Sequence, residues 1–232
     1  MIPKKHFNKI FILLAFLVLS ISVYQMQICL NKIRVVDKTE RLMYLPGGQY
    51  LKPLTLGYTS LVSDFLWMKA VIYFGGHYVT DKSYPWLYHI LDLVTTLDPY
   101  FKFPYEFGGI ILSIEEGNVE KSNMLLKKGI KYFPSYWRFY NYLGFNYFYY
   151  LKDSKKAAHY IKIAATLPDH PGYLPYLAAS LMTSGGETES AILFLMEIYR
   201  NTKDERIKEN ILKKIEQVKR GKIPKKLKKL LD

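Results

Sequence analysis

Cysteine is nearly missing from this chain. Cys29 is its only one, which excludes an intrachain disulfide and a cysteine-built zinc site but leaves the compartment open. Acidic residues are scarce as well. Asp and Glu number 20 against 33 Lys and Arg, for a formal charge of +13, so an acidic partner surface, anionic lipid or nucleic acid suits it better than a basic partner. The histidines His6, His77, His89, His159 and His170 show no H-E-x-x-H or other metal spacing. The glycine doublets at 47, 75, 108 and 185 lack a following Lys-Ser/Thr, so there is no P-loop. His77 and Asp81 stand four apart at a helix end and read as an ordinary surface pair. No catalytic, metal or cofactor-binding residues are assigned, and the chain reads as a non-enzyme. What it has instead is burial potential. Half its residues are apolar and 16% aromatic, which rules out disorder throughout.

Residues 1–9 form a basic tail. From Ile10 to Leu30 the chain carries no formal charge, and Ile10 to Val23 is almost wholly apolar. At about 1.5 Å per residue, about 20 residues cross a hydrocarbon core, so 10–30 is expected to be a retained transmembrane signal-anchor helix, with a cleaved signal peptide or a lipoprotein signal at Cys29 as the alternatives. Lys4, Lys5 and Lys9 ahead of it favour a cytoplasmic N-terminus. Residues 31–57 have no sustained period and contain Pro46, Gly47, Gly48 and Pro53, as expected of a linker or irregular arm. Its Tyr44, Leu45, Tyr50 and Leu54 are expected to pack on the segment that begins at residue 58.

Residues 58–203 repeat themselves. Segments ending at Leu97-Asp98-Pro99, Tyr132-Phe133-Pro134 and Leu167-Pro168-Asp169 are 35 residues apart. Three columns then line up: Leu87, Ser122, Ala157 and Ala191; Leu91, Leu126, Ile161 and Leu195; and Val94, Gly129, Ala164 and Ile198. Within each unit the spacing is four then three, one face of a helix. A preceding helix repeats in the same way, with Tyr105, Gly108, Gly109 and Leu112 matched by Tyr140, Leu143, Gly144 and Tyr147, then by Pro175, Ala178, Ala179 and Met182. Gly117-Asn118, Lys152-Asp153 and Gly185-Gly186 mark the turns between the two helices of a unit. A period of this length signals stacked helix pairs, none of which buries its apolar face alone.

These residues resemble the tetratricopeptide (TPR) repeat, W-x-x-L-G-x-x-Y followed by Ala, a large residue, Ala and Pro. The third unit matches best. Pro175 stands at an aromatic position and Leu87 at a small one, so the outer units depart from the pattern. The resemblance implies an all-α, antiparallel helix-pair superhelix of about four repeats, with a concave groove lined by the first helix of each pair. Carried over position by position, that groove comprises Phe65, Met68 and Ile72; Phe103, Glu106 and Ile110; Arg138, Asn141, Phe145 and Phe148; and Tyr173 and Tyr176. Arg138 and Asn141 would be its polar handles. Between Tyr132 and Tyr150, 12 of 19 residues are aromatic, more than neighbouring helices can hide, so some rings are expected to anchor a partner segment.

Asp204 to Val218 places Ile207, Ile211, Ile215 and Val218 on one face, and 204–220 is expected to be a capping helix. Residues 221–232 form a basic amphipathic tail, whose Lys225, Lys226, Lys228 and Lys229 are candidates for an anionic-lipid contact. Together these features suggest a single-pass bacterial inner-membrane protein with periplasmic repeats. It would be a scaffold for protein partners in pilus, secretion or surface-polysaccharide assembly. An envelope enzyme subunit that stacks glycan on the aromatic groove is the alternative, as is a lipid or nucleic-acid binder using the lysine tail. Nucleic acid is the least expected of these partners.

Overall fold

The computed structural model describes residues 16–26, 28 and 44–221. The chain divides into two units, Met1–Leu45 and Pro46–Asp232. Residues 16–26 are helical and exposed. The expected span at 10–30 lies partly outside the described residues, and among those described no helix is long and apolar enough to cross a membrane. The basic tails at 1–9 and 222–232, with Lys225, Lys226, Lys228 and Lys229, also lie outside them.

The described residues of the second unit contain helices and no strand. The helices are α1 (Thr59–Tyr78), α2 (Leu87–Leu97), α3 (Lys102–Ile114), α4 (Val119–Tyr132), α5 (Trp137–Phe145), α6 (Ser154–Ala164), α7 (Leu174–Ser184), α8 (Thr188–Asn201) and α9 (Glu205–Lys219). A π-helical turn, Asn146–Tyr150, extends α5. Each helix packs on the next, and α5 also touches α3 while α9 touches α7. That order makes four consecutive pairs and a final helix laid against the last of them.

The repeat is visible in the backbone. Lys82, Gly117, Lys152 and Gly186 all have φ between 53° and 85°, one at each turn within a pair, at intervals of 35, 35 and 34. A left-handed residue directs the chain back after a helix end and lets the next amides reach the last carbonyls. Asn118 and Asp153 donate their backbone N–H to Leu112 and Tyr147, six residues earlier in both cases. The same two side chains cap α4 and α6 by accepting from Lys121 and Lys156. Two tyrosines repeat in the same way. Tyr105 donates to the Pro99 carbonyl at 3.1 Å and Tyr140 to the Pro134 carbonyl at 2.9 Å.

The columns read from the sequence are the core. Leu87, Ser122, Ala157 and Ala191 are each 0% exposed, and Leu91, Leu126, Ile161 and Leu195 are buried beside them. Small residues stand where helices cross closely. A Cβ built on Gly144 would lie 2.5 Å from Ile161, and one on Gly108 would collide with Leu125 and Leu91. A polar link crosses the same region. Ser122 Oγ donates to the Gly109 carbonyl at 2.6 Å, and Asn146 Nδ2 donates to Ser122 Oγ at 2.8 Å and to Asn123 Oδ1 at 2.9 Å.

Several expectations need correction. The described part of the arm is ordered into a one-turn helix, Gly48–Leu51, and a 3-10 turn, Lys52–Thr55. It seats on α2 through Gly48, where a Cβ would press on Thr96, while Tyr44, Tyr50 and Leu54 are exposed. Val71, next to the buried Ala70 in α1, is exposed. The face of α1 turned away from the core is apolar, and Gly75 and Gly76 lie in it with nothing within 4 Å of where a Cβ would stand. Glycine in a helix interior costs about 0.5–1 kcal/mol relative to alanine, and no packing among the described residues explains these two.

In α9, Ile211, Ile215 and Val218 turn inward as the spacing predicts, but Ile207 is exposed and Lys214 is buried. The Lys214 ammonium donates to Ser180 Oγ at 2.6 Å, and burial lowers its pKa from the ordinary 10.5. Between that lowered value and 10.5 the unfolded chain holds a proton that the folded chain lacks, so stability rises with pH across this window. Wild type is therefore expected to gain stability relative to Lys214→Met as the pH rises towards 10.5. Urea unfolding of both proteins at several pH values checks this, and a pH-independent difference would contradict it.

Candidate functional site

The aromatic run from Tyr132 to Tyr150 sorts its rings by burial. Phe139 is fully buried against Tyr105, Phe133 and Tyr136, with ring centroids 4.9 to 6.3 Å apart. Phe145 and Tyr149, by contrast, are 41% and 44% exposed and stack on each other at 5.4 Å. Helical geometry puts Phe145 and Tyr149 on one side of the rod, and the π-turn swings Asn146 and Phe148 inward.

Phe145 stands at the mouth of a recess of about 320 Å³. The recess is lined by Asn141, Tyr142 and Gly144 of α5, by Tyr173 at the N-cap of α7 with Leu177 and Leu181 within that helix, by the buried Ile161 and Phe148 as its floor, and by Ile114. Gly144 matters here because its missing side chain leaves room for Ile161 to close the bottom. The lining is mostly carbon, with the Asn141 amide and two phenol groups as its polar atoms. Such a surface gains from displacing water with apolar side chains and offers little to a charged ligand.

Beside the recess lies a polar knot. Glu106 of α3 accepts from the Tyr136 hydroxyl at 2.7 Å, from Arg138 Nη1 at 2.8 Å and from the Tyr142 hydroxyl at 3.3 Å. Desolvation, then the hydrogen bond to Glu106, pushes the Tyr136 phenol up to about 12. Desolvation and the nearby Glu106 charge raise Tyr142, so both hydroxyls remain donors at neutral pH. The Glu106 carboxylate is thus engaged by three donors, and Arg138 is bound within its own chain. The knot fixes Tyr142, which in turn shapes the recess wall.

Of the groove positions carried over from the repeat pattern, Asn141, Phe145, Phe148 and Tyr173 meet at this recess. Phe148 is only 8% exposed, which makes it floor and core at once. Glu106 and Arg138 form the adjoining knot. Tyr176 does not join them. It lies in a separate hollow with His170, Pro175, Ile198 and Ile211. Phe65, Met68 and Ile72 are exposed on α1 and Phe103 on α3, while Ile110 is half-buried, and none of them lines the recess. Tyr142, Leu177 and Leu181 were missed, although their positions beside Asn141, Tyr173 and the small residues Ala178 and Ala179 could have pointed to them.

His77 Nδ1 and Asp81 Oδ1 form a 2.7 Å pair at the surface, and the hydrogen bond from His77 holds the Asp81 carboxyl below its usual range. Among the described residues no three His, Cys, Asp or Glu side chains are placed to hold a metal ion. No protein-family model, no curated protein and no solved structure matches the chain.

Proposed function

We propose that this chain is a membrane-tethered TPR-type scaffold of the bacterial envelope, which holds an apolar segment of a partner protein in the recess between α5 and α7. Residues 10–30 would be the tether and the helix pairs the platform, displayed on the periplasmic side. The recess carries this reading. It presents the half-exposed rings Phe145 and Tyr173 above a floor of Phe148 and Ile161, with the Asn141 amide to orient a backbone. Aromatic anchors around a dry, well-packed hollow are how partner side chains are gripped. The volume, at the low end for ligand sites, admits one or two large side chains rather than a cofactor. The tetratricopeptide reading is supported by the 35-residue period of left-handed turns and by the burial of the small-residue columns.

A photo-crosslinking amino acid placed at Tyr173 in the full-length chain, in its own membranes, is expected to yield one discrete protein adduct. The same probe at Leu193, exposed on α8, is expected to yield none. Equal labelling at both positions, or no adduct at 173, would overturn the assignment.

A further inference from the structure

The solvent-facing side of α1 is a regular stripe. Leu61, Phe65, Met68, Ile72, Gly75 and Val79 follow one another at intervals of four, three, four, three and four, all exposed, along about 27 Å of helix. The buried positions Ser63, Leu66, Ala70 and Tyr73 occupy the opposite side. This is the spacing of a heptad seam, with Phe65 and Ile72 at the a positions and Leu61, Met68 and Gly75 at the d positions. It is also distinct from the recess, whose lining comes from other helices.

We propose that a second copy of this chain covers the stripe, with the two α1 helices parallel. The flanking charges select both the occupant and the direction. Asp64 falls at a g position and Lys69 at the e position of the next heptad, one on each side of the stripe. Parallel pairing brings g against the following e of the partner, so Asp64 of each copy meets Lys69 of the other, twice over. Antiparallel pairing would set g against g and e against e, joining like charges. Among the described residues, neither Asp64 nor Lys69 has an ion-pair partner in its own chain, and Lys69 only lies over the Phe65 ring at 5.3 Å. Gly75 and Gly76 supply what the single chain leaves unexplained. With no side chain there, the partner helix can approach closely at the C-terminal end of the seam.

The test uses the full chain purified into lipid vesicles, with Cys29→Ser as background and one new cysteine per variant. Under mild oxidation, Leu61→Cys and Met68→Cys are expected to give covalent dimers. Ser60→Cys, exposed but off the stripe, is expected to give none. Adding Asp64→Lys to Met68→Cys should lower the dimer yield about tenfold, and the swap Asp64→Lys with Lys69→Asp should restore it. No dimer at 61 or 68, equal dimer at 60, or a swap that fails to rescue would each overturn the proposal. If another protein or the bilayer covers the stripe instead, these vesicles show the first of those outcomes. Ser60, Leu61, Asp64, Met68 and Lys69 are all exposed, so unchanged helical circular dichroism is expected to accompany each result.

Discussion

Phe139→Ala is expected to destabilise the helical array by about 3–5 kcal/mol, more than any surface change in this chain. The ring is 0% exposed and is held edge-on by Tyr105, Phe133 and Tyr136, so its removal empties a site with contributions from α3, α5 and the loop between α4 and α5. Gly129 adds to the cost. A Cβ there would come within 2.9 Å of the Phe139 ring, so α4 approaches this ring with bare backbone and has no side chain to relax into the gap. For a chain of this size the melting temperature should fall by roughly 10–15 °C. Thermal unfolding followed by circular dichroism reads the change, and a shift of under about 3 °C would mean that the pairs do not depend on this contact.

The second large effect concerns binding alone. Phe145→Ala combined with Tyr173→Ala should weaken capture of the partner found at position 173 by at least about 100-fold, since anchor rings commonly carry about 2 kcal/mol or more apiece. Both rings are about half exposed, so the melting temperature should move by only a few degrees. Co-purification from membranes, quantified against wild type, measures the loss. Retained capture with an intact fold would remove the recess from the reading. Phe148→Ala makes a poor probe of the same site because its 8% exposure makes it a core deletion as well.

The helix pairs were legible because burial demands small side chains at crossings, and Ser122, Ala157 and Ala191 mark those crossings at intervals of 35 and 34. The recess was half legible. Phe145 and Tyr173 followed from the register, but Tyr176 turned elsewhere. The π-turn at Asn146–Tyr150 left no trace in the pattern, since a run aromatic at nearly every position has no period for an extra residue to break. Glu106 and Arg138 were each read as facing a ligand. Their 2.8 Å bond joins residues 32 apart in sequence, a pairing that only the stacking of α3 on α5 creates. Phe65, Met68 and Ile72 were given to the groove because the repeat register places them on the inner side. The register is silent about α1 being the first rod of the stack, with one flank that no earlier pair covers.

The hydrogen-bonded line from the Gly109 carbonyl through Ser122 to Asn146 bears on how this stack comes apart. Rods joined only by oily contacts can peel away one by one from either end, each departure raising the same small barrier. Here the second and third pairs share a buried amide and hydroxyl that would be stranded dry if either pair left alone, so these two pairs are expected to open and close as one body. That rivet ties α5, which walls the recess, to the pair before it.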